Sequence, residues 1–373
     1  MRVIYKEIGS NFWLNRCDEL KTKEISLDFL QLNIRDVAFL STGRSAISFV
    51  LEYIELPVHK KVALLPPFTC HTVIEPFINA GYKVFYYRID KNLTCSRQYF
   101  LEDIEKYQPS VVLVHGYFGF DTLCSIKDVI LQIRQSGTIV IEDITQTMYS
   151  KFEHTRADYY VCSFRKWAAL PDGGCAISTN KLFSYKPNKT DKNLQEAKLK
   201  AFHAKYLYMC KDIGNKDEFL KMFKDAEEIL CQQQSIFAMS SVSKMIQANL
   251  EIDILREKRR ENFQVLCNGL AGINLIESVF NSLPDDVTPL YFPVYVKHNR
   301  KSLQSYLAKN DIYAPVIWPK PVQCANVLSK EVDWIYNRIL SIPCDQRYDS
   351  YDMEKIIKKI MDYDVEPVEP TEG

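Results

Sequence analysis

Short apolar runs recur through the first half of the chain with amphipathic stretches between them, and this rhythm constrains the fold more than any other feature. The runs are VALLP (62–66), VFYYRI (84–89), VVLVHGY (111–117), TIVIEDI (138–144), YYVCSF (159–164) and CAIST (175–179). Helical patterns fall between several of them, at 44–55, 70–80, 99–107 and 124–136. Apolar strands of this kind, separated by helices, predict an α/β fold: a mainly parallel sheet with helices on both faces and right-handed crossovers. Residues 1–40 carry no clean pattern. Residues 180–235 turn polar and Lys-rich, which predicts a surface excursion followed by helices. Ser240–Leu270 predicts one long helix, with Val242, Ile246, Leu250 and Ile254 at helical spacing. Its basic end, REKRR (256–260), predicts a solvated face. From 289 on, PLYFPVYV, a helix at 299–309, YAPVIWP, ILSIP and a final helix at 351–362 predict a smaller α+β unit, and the tail EPVEPTEG a frayed end. The expected division is a large α/β domain over 1–240, including a segment at 1–35, then a connecting helix and small α+β domain over 241–373. A chain of 373 residues suits two domains.

Composition removes whole classes of function. Lys and Arg together number 47, and so do Asp and Glu, so the net charge is zero. No excess of basic charge is available for nucleic acid or an anionic membrane, and neither is expected as a partner. A neutral chain also lacks the self-repulsion that opposes association. The eleven cysteines are odd in number and scattered, with no CxxC pair and no Cys/His cluster at zinc spacing; neither a metal site nor a disulfide framework is expected. The start, MRVIYKEIGSNFW, has no signal-peptide apolar core, and runs such as Val111–Val114 are too short to span a bilayer. The expectation is a cytoplasmic protein whose thiols are reduced and packed as small hydrophobes.

Parallel α/β sheets bind ligands beyond the carboxyl ends of their strands, so chemistry is sought just after each run. The first candidate is Ser41-Thr42-Gly43-Arg44-Ser45, opening a helix. Gly43 permits close backbone approach and the helix start offers unpaired N–H groups, a seat for phosphate; the plainer alternative is an N-cap by Thr42 or Ser45. The second is Glu142-Asp143-Ile144-Thr145-Gln146, two acids and an amide ending a strand, suited to a cation or a protonated ring nitrogen, or to a helix cap or internal ion pair. The third is Ser163-Phe164-Arg165-Lys166-Trp167 ahead of Gly173-Gly174. A lysine that loses water and gains a cationic neighbour falls in pKa and becomes a nucleophilic amine. His154, His203 and His298 read as surface or capping residues.

Phosphate seat, strand-end acid and lysine, in this order, resemble the pyridoxal-phosphate enzymes of the aspartate-aminotransferase fold (fold type I). More closely, the chain resembles the DegT/StrS-type nucleotide-sugar aminotransferases over roughly 35–365. The matching residues are Thr42-Gly43-Arg44-Ser45-Ala46-Ile47, Pro66-Pro67-Phe68-Thr69-Cys70-His71, Gly81 through Asp90, Val114-His115-Gly116-Tyr117-Phe118-Gly119, Glu142-Asp143-Ile144-Thr145-Gln146, and Ser163, Phe164, Lys166, Gly173 and Gly174. Further matches are Phe292-Pro293-Val294, Arg300, Leu307, Ile312, Trp318-Pro319 and the ILSIPCDQRY stretch at 339–348.

The resemblance implies pyridoxal 5′-phosphate as cofactor and Lys166 as the catalytic residue that holds its aldehyde carbon. Asp143 would pair with the ring nitrogen, and Gln146 would bond the ring hydroxyl or cover a ring edge. The N–H groups of Arg44 and Ser45, with the Ser163 hydroxyl, would hold the phosphate beside Gly43. Cys70 or His71 falls where relatives stack an aromatic on the ring, and of these His71 can stack. The implied reaction is a ping-pong transamination in which Lys166 releases the cofactor to an amino donor, glutamate, and then shuttles a proton. The implied acceptor is a keto group on a nucleotide-linked deoxysugar, in surface-polysaccharide or related sugar biosynthesis, and the implied assembly a homodimer. Relatives that remove a hydroxyl carry His in place of this lysine, so Lys166 points to amination. Two departures stand out. Ser163 lies three residues before the lysine, where relatives often have five. The segment Ile236-Phe237-Ala238-Met239 lacks the Asn and Arg of an N-Y-R-M element whose Asn reaches the phosphate from the partner subunit; Arg165 and Arg44 are the cations at hand. Rival readings are another pyridoxal-phosphate reaction, such as a lyase or desulfurase using a cysteine, and a non-catalytic regulatory relative.

Overall fold

The computed structural model describes residues 5–15, 20–21, 23–233, 235–324 and 328–363; the tail expected to fray lies outside them. The chain opens with β1 (Ile8–Gly9), β2 (Asp36–Leu40), α1 (Gly43–Glu52), β3 (Val62–Leu65), α2 (His71–Asn79) and β4 (Lys83–Tyr86). It continues through α3 (Arg97–Tyr107), β5 (Val111–His115), α4 (Lys127–Gln135), β6 (Ile139–Asp143), β7 (Tyr159–Ser163) and β8 (Gly174–Ser178). Each apolar run became a strand, in a seven-stranded sheet ordered β2-β8-β7-β6-β5-β3-β4. The pairs from β4 to β7 are parallel; β8 runs antiparallel to β7 and β2 antiparallel to β8.

Side chains alternate along these strands and so build two cores. Leu64, Val112, Val114, Val140 and Cys162 pack on one face with Phe100 of α3 and Val129 and Ile133 of α4. Leu65, Leu113, Ile141 and Val161 pack on the other with Phe49 and Val50 of α1 and Ile74 and Phe77 of α2. Both faces are therefore dry. The strand ends are where polar groups can stand in a cleft.

The polar excursion becomes the hairpin α5 (Lys192–Lys211) and α6 (Lys216–Cys231), started by the side-chain caps of Asp191 and Asn215. The expected helix over Ser240–Leu270 is two helices, α7 (Ser241–Ala248) and α8 (Ile252–Gly269). Asn249 ends the first: its Nδ2 donates to Met245 O at 2.8 Å, sharing that acceptor with its own N–H, and to Lys21 O at 2.7 Å, which ties the helix end to the N-terminal segment. Next come β9 (Ile276–Ser278), β10 (Phe292–Val296), α9 (Arg300–Lys309), β11 (Ile312–Tyr313), α10 (Lys330–Arg338), β12 (Ile339–Ile342) and α11 (Ser350–Met361). They include a three-stranded antiparallel sheet, β12-β10-β9, and β11 pairs in parallel with β1 from the start of the chain.

The basic stretch of α8 is a clamp rather than a solvated face. Arg259 is 1% exposed; its Nη1 donates to Pro289 O (3.2 Å) and Leu290 O (2.8 Å), and its Nε to Gln346 Oε1 (2.8 Å). Its guanidinium lies over the Trp167 ring, 4.6 Å from the centroid. Arg260 Nη1 donates to Pro284 O and Val287 O, each at 2.6 Å. Loop carbonyls without strand partners supply the acceptors, and helical periodicity does not report on them. Arg259→Met is expected to lower unfolding free energy by about 2–4 kcal/mol, because it strands buried carbonyls. Chemical denaturation measures this, and a loss within about 0.5 kcal/mol, the scale of an indifferent surface change, would show the clamp to be dispensable.

Candidate active site

The ends of β5, β6 and β7 and the start of α1 open on one cleft of about 370 Å³. Lys166 reaches it from a short turn, Phe164–Lys166, that follows β7 directly. Phe164 N–H donates to Gly173 O at 3.2 Å and Trp167 N–H to Phe164 O at 3.0 Å, which pins the turn. Gly174 explains part of the glycine pair. A Cβ there would lie 2.6 Å from Cys162 O and 2.7 Å from Thr42 C, so only glycine lets β8 close on β7 and the start of α1. Trp167 is itself held, its Nε1 donating to Thr145 O at 2.7 Å and its carbonyl accepting Gln346 Nε2 at 2.6 Å. The Arg259 clamp thus stabilises the residue beside the lysine.

Lys166 is exposed to solvent through the cleft mouth, yet protein crowds its amine on the remaining sides. Burial first and the Arg165 charge second hold its pKa below the usual lysine value, against the pull of Cys70, Glu227 and Asp143. An open cleft of this kind still leaves the ammonium poorly hydrated. Asp143, the last residue of β6, opens on the same cleft, and its Oδ1 accepts Thr145 N–H at 2.9 Å. Burial pushes its carboxyl pKa up, with the Thr145 hydrogen bonds and the Lys166 charge opposing. Its neighbour Glu142 points away and is 2% exposed: Oε1 meets His154 Nδ1 at 2.9 Å and Oε2 accepts Thr155 N–H at 2.8 Å. His154 is therefore a buried partner of Glu142, not a surface residue. The alternation of the strand assigns one acid to the cleft and one to the core.

Gln146 is anchored by the Phe118 N–H donating to its Oε1 at 2.5 Å, which leaves its NH2 as the free end at the cleft. Ser163, 6% exposed, also borders the cleft, and its Oγ finds no hydrogen-bond partner. Cys70 and His71, at the start of α2, both line the cleft. At the start of α1 the capping reading and the phosphate-seat reading hold together. Thr42 Oγ1 accepts Ser45 N–H at 2.9 Å, so that N–H is spoken for and Ser45 lies off the cleft. The N–H groups of Gly43 and Arg44, the first in the helix, have no intrahelical acceptor and border the cleft. The Arg44 side chain turns away to Glu75 Oε2 (3.2 Å) and Leu230 O (3.0 Å).

Several cleft residues are given no role by the sequence reading, although His115 and Trp318 fall in its matching stretches. His115 ends β5 as Asp143 ends β6; its Nε2 lies 3.1 Å from Thr69 Oγ1, and burial drops its pKa to about 4, so it is neutral at neutral pH. Its place in a strand-end run was a usable signal. Trp318 and Tyr291 enter from the C-terminal unit, and Glu227 from α6. Glu227 forms an ion pair with Lys198 of α5. The excursion thus walls the cleft, which its surface-like composition concealed.

These residues suit pyridoxal phosphate on structural grounds. The lysine amine is free of any ion pair among the described residues, and the Asp143 carboxylate likewise. The unpartnered Ser163 Oγ and Arg165 Nε are donors lacking an acceptor beside a helix start that favours anions.

Residues 236–361 match the model of the DegT/DnrJ/EryC1/StrS aminotransferase family. No curated protein matches the chain in sequence. Among solved structures, Helicobacter pylori PseC, an aminotransferase involved in the biosynthesis of pseudoaminic acid, superposes with a TM-score of 0.68 at 15% identity, over 95% of this chain and 98% of that one. The sugar aminotransferase CalS13 from Micromonospora echinospora gives 0.62 at 17% identity, over 87% of this chain and 86% of that one. The PLP-form of Spr1654 from Streptococcus pneumoniae gives 0.63 at 13% identity, over 91% of each chain. The protein therefore has the fold-type-I architecture of these aminotransferases along nearly its whole length, and over residues 236–361 it carries the sequence pattern of the DegT/DnrJ/EryC1/StrS aminotransferase family.

Proposed function

We propose that the protein is a pyridoxal-phosphate-dependent aminotransferase that moves an amino group from glutamate to the keto group of a nucleotide-linked sugar, as a cytoplasmic homodimer, in surface-polysaccharide or related sugar biosynthesis. The observation that carries the reading is the meeting of Lys166, Asp143, Gln146 and the start of α1 in one cleft. Sugar aminotransferases among the structures of the same fold support the substrate class. The absence of net charge is compatible with self-association.

When bound, the cofactor supplies an electron sink for the electrons released as a substrate C–H bond breaks. Lys166 Nζ would hold the cofactor's aldehyde carbon and, as a free amine, would take up and return the substrate proton. Its depressed pKa favours the neutral amine that both tasks require. Asp143 holds the proton on the ring nitrogen, and burial strengthens that pairing by lowering the local dielectric. Gln146 donates its NH2 to the ring oxygen. Ser163 Oγ and the N–H groups of Gly43 and Arg44 would bind the phosphate, and Cys70 or His71 would cover a ring face. His115, neutral, and Trp318 line the same cleft.

The test is a pair of half-reactions. Protein loaded with pyridoxal phosphate is expected to lose its visible band on adding glutamate, releasing 2-oxoglutarate in equal amount. A nucleotide-linked keto sugar is then expected to restore the band. Release of pyruvate or sulfide from the donor would identify a lyase or desulfurase instead, and a loaded protein inert to every amino donor would sink the proposal.

A further inference from the structure

The part of the cleft formed by the start of α1 and Ser163 offers backbone N–H groups and one unpartnered hydroxyl. The segment Ile236–Met239 runs beside it, with Phe237 O accepting Ser41 N–H at 2.9 Å and Met239 N–H donating to Phe39 O at 3.1 Å, yet it brings only apolar side chains. Two arginines border this region, and their engagements differ. Arg44 is spent on Glu75 and Leu230 O. Arg165 borders the cleft, and its buried Nε finds no hydrogen-bond partner. The acids nearest to it are already committed. Glu227 is paired with Lys198, and Asp172 accepts Ser240 Oγ at 2.8 Å and Ser240 N–H at 3.2 Å. Among the described residues Arg165 makes no ion pair of its own. A guanidinium cannot shed its charge in a protein, so one whose Nε is buried without a partner, in a half-buried side chain at a cleft, calls for an anion.

We infer that Arg165 is the cationic contact for the cofactor's phosphate, joining Ser163 Oγ and the first N–H groups of α1. The inference rests on the pyridoxal-phosphate reading above. The cofactor's chemistry fits a contact from the residue next to Lys166, because the aldehyde and the phosphate arm stand on adjacent ring carbons. Adjacent residues on one short turn can therefore serve both groups. The same charge depresses the Lys166 pKa, so one side chain both seats the phosphate and readies the amine.

The experiment compares apo protein, Arg165→Met and Arg165→Lys for binding of pyridoxal phosphate, of pyridoxal, which lacks the phosphate, and of inorganic phosphate as competitor. The Met variant is expected to bind pyridoxal phosphate about 10- to 100-fold more weakly, the scale of one charged hydrogen-bonded contact. Pyridoxal binding is expected to change by less than about threefold, which also shows the cleft still folded. Inorganic phosphate is expected to compete in the wild type and not in the Met variant, with the Lys variant intermediate. Equal loss for both aldehydes, or none for either, would overturn the assignment while leaving the aminotransferase reading intact. A wild-type protein that takes neither aldehyde would overturn both.

Discussion

Lys166→Ala is expected to cut turnover by at least about 10³-fold, because one amine is asked to hold the cofactor and to carry the proton. The folded state should be unharmed: Lys166 forms no ion pair among the described residues, and the turn that presents it is pinned by backbone hydrogen bonds. Borohydride reduction of the loaded wild type should fix the cofactor on the peptide containing Lys166, with no label in the alanine variant. A variant that still retained reducible label on another lysine would remove Lys166 from the mechanism. The pH dependence is a second readout. Burial and the Arg165 charge lower the amine's pKa, so its capture of pyridoxal phosphate should reach its plateau at a lower pH than that of an ordinary lysine, whose pKa is about 10.4. Removing the Arg165 charge removes a repulsion against the ammonium form, and the inflection should then move up in pH.

The sheet was legible because its signal is local. Both faces of β3 to β7 are covered, so these strands had to be apolar throughout, and Leu64 and Leu65 or Val112 and Leu113 serve opposite cores from adjacent positions. The cleft was legible where a polar residue ends such a run, which places Asp143, Ser163 and Lys166 at the carboxyl end of neighbouring strands without knowledge of any distant contact. What failed was long-range. Arg259 follows helical spacing like any solvated arginine, and its acceptors lie in loops 30 or more residues away. Ser45 was expected at the phosphate, but the shorter reach of Thr42 Oγ1 claims its N–H first. Glu227 sits in a helix whose polar face looks like a surface, and only the packing of α6 against α5 turns that face toward the cleft. Residues contributed by a second chain segment leave no periodic trace at their own position.

The adjacent acids Glu142 and Asp143 allow a sharper test than either alone, since they differ by one step along a strand. Asp143→Asn keeps the size of the side chain and an oxygen for the Thr145 N–H. It removes the negative charge, so the ring nitrogen would no longer hold its proton and the electron sink would weaken. The expected cost is about 10²- to 10³-fold in the rate of the glutamate half-reaction, comparable to losing a preorganised electrostatic partner. Stability should hold or rise slightly, because burial already disfavours the Asp143 carboxylate and the amide carries no such penalty. Glu142→Gln should do the reverse. Its carboxylate accepts from His154 and Thr155 inside the core, so the amide is expected to cost about 1–3 kcal/mol of stability and to leave the loaded enzyme's half-reaction within a few fold. Stopped-flow rates and denaturant midpoints on the same two proteins separate these outcomes. If Asp143→Asn kept wild-type rates, or if both variants lost rate alike, the ring nitrogen's partner would have to be sought elsewhere in the cleft, and the pairing of strand-end acid with lysine would lose its chemical meaning.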